Sequence, residues 1–232
     1  MVKALKILRF LFISLSILCS VWTAKAQSKG ETVKYGISLG VDISRFLVPL
    51  LDPERSCFEI NGRITYKDNW FVTGDLGYES VNFDTNSSDK KSYSYQSNGS
   101  FFRLGMDYDF FTPPEPDADD NIFVGLRYGF AVQEQESPLY TITEEYWGSY
   151  SSSISMHTVT SHWIELTLGL RTEVLKNFHM GWMFRFKGKL ASDSQTDLQP
   201  YTIPGYGKGG ENFNMGVAYI LEYQIPWRGT RR

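Results

Sequence analysis

The chain has 232 residues and a mass of 26.6 kDa, with 42% apolar residues, 16% aromatic residues and a formal charge of -3. This aromatic load beside 21% charged residues excludes disorder, which needs few aromatics and a high net charge. The charge balance leaves no footprint for nucleic acid, and no apolar run of about 18 residues follows the N-terminal segment, which excludes a bundle of membrane helices.

Residues 1–26 read as a cleaved secretory leader. Lys3, Lys6 and Arg9 form its positive region, Phe10 to Val21 its apolar core, and Ala24-Lys25-Ala26 the small-residue cleavage site. Cys19 raises the rival of a lipoprotein signal, but bulky Leu18 stands before it where a small residue is wanted, so ordinary cleavage is favoured. Residues 27–232 then form one barrel domain. Removing 1–26 takes away four basic residues and no acidic one, leaving 19 basic and 26 acidic residues and a charge of -7. Only Cys57 remains, so no intrachain disulfide can form, and a buried or lumen-facing thiol is expected.

From there the dominant signal is period two, the strand signature. Val33, Tyr35, Ile37, Leu39, Val41 and Ile43 alternate with Lys34, Gly36, Ser38, Gly40 and Asp42. Phe58, Ile60, Ile64 and Tyr66 face away from Glu59, Asn61 and Arg63. Trp70, Val72, Leu76 and Tyr78 oppose Asp75 and Gly77. Phe102, Leu104, Met106, Tyr108 and Phe110 oppose Arg103, Gly105, Asp107 and Asp109. The same pattern returns at 122–132 around Arg127, at 164–174 around Glu165, Arg171 and Glu173, at 178–190 around His179 and Arg185, and at 213–227 around Glu222.

Over these eight spans the apolar phase has 48 positions, 44 of them apolar and none charged. The interleaved phase has 40 positions, with 16 charges, eight of each sign, and nine glycines. A soluble lipocalin-like barrel would turn the apolar face inward, whereas a membrane barrel turns it to lipid. The glycines decide between them. A water-facing position gains nothing by losing its side chain, but a narrow lumen needs room beside a long Arg or Glu. Balanced charges suit a sealed interior where ions must pair, and the apolar phase holds more large aromatics than a lipocalin interior could take. The expected fold is all-β, an eight-stranded antiparallel up-and-down transmembrane β-barrel with a polar, side-chain-filled lumen.

Connection lengths agree with that reading. Lys67–Asn69, Thr112–Asn121 and Leu175–Asn177 are short, while Ser44–Cys57, Glu79–Phe101, Gln133–Trp163 and Ala191–Asn212 are longer and are expected to be external loops. Each span of 9 to 15 residues meets the ~9–11 that a tilted membrane strand requires. Tyr35, Tyr66, Trp70, Tyr108, Phe110, Phe178, Tyr223 and Trp227 fall at periplasmic ends and Phe58, Tyr78, Phe102, Phe130, Phe186 and Phe213 near external ends, so two belts of amphipathic rings are expected. Aromatics also favour strands in general, but clustering at both ends of the strands favours the belts.

Phe102-Arg103-Leu104-Gly105-Met106-Asp107-Tyr108, Ile122 to Phe130, Lys176 to Trp182 and Ile203-Pro204-Gly205-Tyr206-Gly207-Lys208 resemble segments of small eight-stranded bacterial outer-membrane barrels. More narrowly, they resemble an uncharacterised barrel family of the Bacteroidota, a domain of unknown function. The resemblance implies a place in the outer membrane and insertion by the barrel-assembly machinery, and it assigns no activity.

Candidate chemistry is sparse. His157 and His162 lie among serines and Glu144 and Glu145, and such Ser/His pairs arise by composition in a Ser-rich loop. His179 reads as a structural hydrogen-bonder. Asp119-Asp120 sits in a turn on the periplasmic side, no His/Cys/Asp cluster has ligand spacing, and Gly205 to Gly210 reads as a flexible loop, not a phosphate cradle. No cofactor is expected. Arg63, Arg103, Arg127, Arg171 and Arg185 are expected to pair inside the lumen with Glu59, Asp75, Asp107, Glu165, Glu173 and Glu222. Such pairs fill a barrel of eight strands, which leaves little room for an ion path. Tyr140, Tyr146, Trp147 and Tyr150 of the third loop are candidates to contact an envelope protein or a glycan. The expected role is that of a non-enzymatic barrel, structural or interacting through its second, third and fourth external loops, with no open pore. The alternatives are an accessory factor in secretion or envelope assembly and, third, a hydrolase.

Overall fold

The protein is seen in a computed structural model that describes residues 36–67, 69–88, 91–111, 119–144, 146, 148–193 and 199–226. The leader at 1–26, Cys19, Tyr35, Trp147, Trp227 and most of the Pro/Asp turn lie outside the described residues.

Alternating side chains put opposite chemistries on the two faces of every strand, and the chain satisfies both faces by closing. Strands β1 (Gly36–Asp42), β2 (Arg55–Lys67), β3 (Trp70–Ser88), β4 (Lys91–Asp109), β5 (Asn121–Glu144), β6 (Gly148–Leu175), β7 (Phe178–Asp193) and β10 (Phe213–Pro226) form a closed barrel. Each strand pairs antiparallel with its neighbours in chain order, and β1 closes on β10. The two small strands β8 (Thr202–Ile203) and β9 (Gly207–Lys208) make a separate hairpin.

The greasy face points outward. Leu126 is 60% exposed and Leu168 42%, while Glu59, Asp107 and Glu165 are fully buried. This is the transmembrane arrangement, because in water that many exposed leucines and aromatics would be costly, at about 25 cal/mol per Å². Cys57 is a buried free thiol.

Lumenal glycines make room for rings and, as the sequence suggests, for charged side chains: a Cβ on Gly105 would lie 2.6 Å from the Arg127 side chain and one on Gly40 2.7 Å from that of Glu222. A Cβ on Gly129 would lie 2.1 Å from the Trp163 indole, and one on Gly169 would lie 2.2 Å from the Phe123 ring. At Gly125 the obstacle is the Asp107 carboxylate, 2.0 Å away.

Two expectations about the connections are corrected. The second and third are not loops but continuations of the wall. β3 and β4 pair from Trp70↔Tyr108 out to Ser88↔Lys91, and β5 and β6 from Asn121↔Arg171 out to Glu144↔Gly148. At 28 residues, β6 is far longer than a membrane crossing needs. Beyond the apolar band both faces of these strands carry Ser, Thr, Asn, Gln and Tyr, so no apolar alternation marks them. The first connection folds as a 3-10 turn, Ile43–Leu47, followed by the short helix α1, Val48–Leu51. On the opposite side β6 and β7 are joined by the expected tight turn, with Asn177 at φ 64, a conformation asparagine tolerates well.

Candidate functional site

The lumen is crossed by ion pairs stacked along the barrel axis. In the external half, Glu59 accepts from Arg103 at 2.8 Å, Arg185 at 2.6 Å and Arg45 at 3.0 Å. Glu165 faces the same Arg103 and Arg185 at 3.2 and 3.4 Å. Asp75 links Arg103 at 3.3 Å to Arg127 at 2.7 Å, and Asp107 links Arg127 to Arg63, each at 3.0 Å. The Arg63 guanidinium lies over the rings of Phe71 and Phe123, at 4.7 and 4.3 Å. Toward the periplasmic end, Arg171 pairs with Glu222 at 2.8 Å and donates to Asn121, Ser38 and Gln224, while Asn61 donates to Glu222.

Alternate strands drive these groups inward, and their mutual pairing is what makes their burial tolerable. An unpaired ion there would carry a desolvation cost of several kcal/mol. Ten of the eleven charged residues named from sequence meet in this way. Glu173 does not. It is half-buried at the β6–β7 turn, where its carboxylate accepts from the Asn177 backbone N–H at 2.7 Å.

The structure also supplies partners that strand periodicity did not single out. Arg45 enters from the first connection, Arg55 pairs with Glu79 at 2.7 Å, and Asp119 pairs with His179 at 3.2 Å. Burial would raise the Asp119 carboxyl, but its hydrogen bond with His179 and the nearby Arg171 charge hold it below the usual carboxylate range. Lys187, one of the charges counted in the interleaved phase, is buried at a lumenal position of β7. Phe101 and Trp163 share that lumenal phase one residue outside the alternating spans.

A further correction concerns the fourth connection. Its residues 199–212 do not project as a flexible loop but fold back into the barrel mouth. Ile203 and Tyr206 are each 1% exposed and cluster with Phe101, Ala131 and Trp163. The Lys187 ammonium donates to the carbonyls of Gly205 at 2.7 Å and Tyr206 at 3.1 Å, and Arg103 donates to Gly205 at 3.1 Å. Gln133 holds the Thr202 carbonyl at 3.1 Å. Gly205 has φ +73, and a Cβ there would also strike the Phe101 ring at 2.6 Å, so glycine is required on both counts.

Beside this inward fold a cleft of about 480 Å³ opens at the external end, lined among others by Tyr93, Tyr95, Tyr201, Gln199, Lys208 and Glu211. Tyr201 is 52% exposed and stacks on Phe83, with centroids 5.4 Å apart and planes 10° apart. Tyr95 meets the edge of Tyr201 and donates to Gln135 at 3.0 Å. Burial pushes the Tyr95 phenol above its ordinary range, which keeps it a neutral donor.

The other aromatic candidates divide. Tyr140 and Tyr150 sit on the paired outer ends of β5 and β6, their rings 6.4 Å apart, and Tyr146 is 87% exposed at the turn between them. Tyr66, Trp70, Tyr108 and Tyr223 point out of the barrel, with Trp70 and Tyr108 4.9 Å apart, while Phe178 is half-buried. The histidines form no nucleophile pair in their observed contacts. His157 meets the Gln135 amide and the Ser155 carbonyl, and His162 meets the Tyr128 hydroxyl. Among the described residues no group of three or more His, Cys, Asp or Glu is arranged to hold a metal.

A closed antiparallel barrel of eight strands with outward apolar side chains and paired ions within defines a membrane β-barrel of the outer-membrane type. The chain belongs to the family described as "Domain of unknown function (DUF6048)", whose model matches residues 4–229. No curated protein matches it. Solved structures similar to it include Ail, the attachment invasion locus protein of Yersinia pestis, at 11% identity and a TM-score of 0.35, covering 82% of this chain and 96% of that one. CarO2 of Acinetobacter baumannii is similar at 9% identity and a TM-score of 0.41, covering 84% of this chain and all of that one.

Proposed function

We propose that this chain is an exported, non-enzymatic outer-membrane barrel that works through its external face as a binding surface for a glycan or an envelope partner, with no open pore. The observation that carries the reading is the tyrosine-lined cleft beside the inward-folded fourth connection. Flat aromatic faces next to Gln199, Lys208 and Glu211 suit a saccharide, whose apolar ring faces stack while its hydroxyls take polar partners. The outer hairpin bearing Tyr140, Tyr146 and Tyr150 adds a second aromatic contact area. Export through a leader cleaved after residue 26, insertion by the barrel-assembly machinery and the kinship with Bacteroidota barrels complete the proposal. The absence of a pore is supported by the guanidinium groups that bridge the lumen and by the folded segment above them.

The test is retention of the full-length protein, folded in detergent, on immobilised neutral oligosaccharides. Tyr201→Ala should lower retention about tenfold, since an aromatic contact adds about 0.5–1.5 kcal/mol beyond the area it buries. Equal retention of Tyr201→Ala and the parent protein would sink the glycan reading.

A further inference from the structure

The barrel wall is incomplete on one side of its external half. β1 pairs with β10 only as far as Asp42↔Ile220, and with β2 only as far as Val41↔Ile60. β10 nevertheless runs on to Phe213 beside β7, and β2 starts at Arg55 beside β3. Residues 213–219 and 55–59 thus face each other with no strand between them. An open edge of this kind is not tolerated against lipid, where unpaired backbone groups have no water to turn to.

The 3-10 turn and α1 lie in that gap. Asp42 caps the turn at the Ser44 N–H and also accepts from the Tyr219 N–H at 3.3 Å. Ser44 donates to the Val217 carbonyl at 3.4 Å. On the other edge the Cys57 thiol meets the Arg45 carbonyl at 3.5 Å, and the rings of Phe46 and Phe58 are 6.0 Å apart. The segment touches both edges, and its own backbone is largely satisfied by local turns.

Its two sides differ as a barrel wall must. The only charge in residues 43–51 is Arg45, which turns inward to Glu59 with its side chain 15% exposed. Outward stand Phe46 at 52%, Leu47 at 39%, Leu50 at 77% and Leu51 at 67% exposure. These side chains are continuous with the apolar outer surface of the neighbouring strands, where Phe58, Met215 and Val217 are also exposed.

We propose that residues 43–51 are a helical piece of the membrane wall, closing the β2–β10 seam with Phe46, Leu47, Leu50 and Leu51 against outer-leaflet acyl chains. The proposal rests on the membrane placement of the barrel, and the helix takes the role that the outer half of β1 would otherwise have. A strand carries on there only if it keeps alternating, and Phe46 to Leu51 has no polar residue on alternate positions.

The test is nitroxide accessibility in phosphatidylcholine vesicles, using the full chain with Cys19→Ala and Cys57→Ala as parent. Labels at Leu50→Cys and, separately, Phe46→Cys are compared with Leu126→Cys on the lipid face and Tyr146→Cys at the external turn. Oxygen should relax the labels at 46 and 50 several-fold better than a water-soluble nickel chelate does, as at 126. Nickel access at 46 and 50 equal to that at 146, with 126 still favouring oxygen, would overturn the proposal alone. Nickel access at 126 as well would remove the membrane reading and the proposal together. Shielding from both probes that appears only at high protein-to-lipid ratio would assign the patch to a second copy of the chain and overturn the lipid assignment.

Discussion

Glu59 is the residue on which most lumenal pairing converges. Three guanidinium groups, from Arg45, Arg103 and Arg185, lie within 3.0 Å of its carboxylate, which is fully buried. Glu59→Gln keeps the shape and removes the charge, leaving those cations with too little to oppose them. Breaking a buried pair in this way costs about 3–5 kcal/mol. The urea midpoint for unfolding from vesicles, followed by heat-modifiable gel migration, should fall accordingly, and an unchanged midpoint would show that water screens the cluster. Gly129 makes the complementary point about volume: Trp163 occupies the space above it, so the lumen is set by what is absent from one strand as much as by what its neighbour projects.

Among the elements, the β8–β9 hairpin departs furthest from a simple barrel. Its hold depends on donors from the wall reaching its backbone, with the Lys187 ammonium spanning two carbonyls. Lys187→Met keeps the length and apolar stem of the side chain but removes both hydrogen bonds. Hydrogen exchange should then accelerate at the Tyr206 and Gly209 amides, which bond to the Ile203 and Tyr201 carbonyls within the hairpin, while β5 and β6 amides stay protected. Unchanged protection at Tyr206 would mean that Ile203 and Tyr206 packing alone keeps the segment in place.

At the scale of the whole molecule, the proposed absence of a pore rests on two features in series along the lumen, the stacked ion pairs and the inward hairpin. Arg63, Asp75, Asp107 and Arg127 lie below the hairpin and do not depend on it. Planar-bilayer recordings should therefore show no steady conductance, either for the parent protein or for a variant with 202–208 replaced by a short Gly/Ser link. Steady single-channel steps in the variant would show that the hairpin is the sole barrier, and steps in the parent would overturn the closed reading.

The amino-acid sequence by itself determined the strand phases and which face of each meets lipid, because period-two alternation is local and a one-residue slip would put Arg103 or Glu165 into hydrocarbon. It also marked ten lumenal ions through their phase alone. Its reach ended where alternation ended. The outer halves of β4, β5 and β6 are polar on both sides, and Ile203 to Lys208 carries only turn signals, so nothing local says that one set extends the wall and the other turns inward. Only the tertiary structure decided which Arg meets which Glu, that Arg45 crosses from a helical turn to reach Glu59, and that a short helix lies between the outer ends of β2 and β10. Those outcomes depend on barrel closure, which brings together residues far apart in the chain and leaves buried charges and open strand edges no other partners.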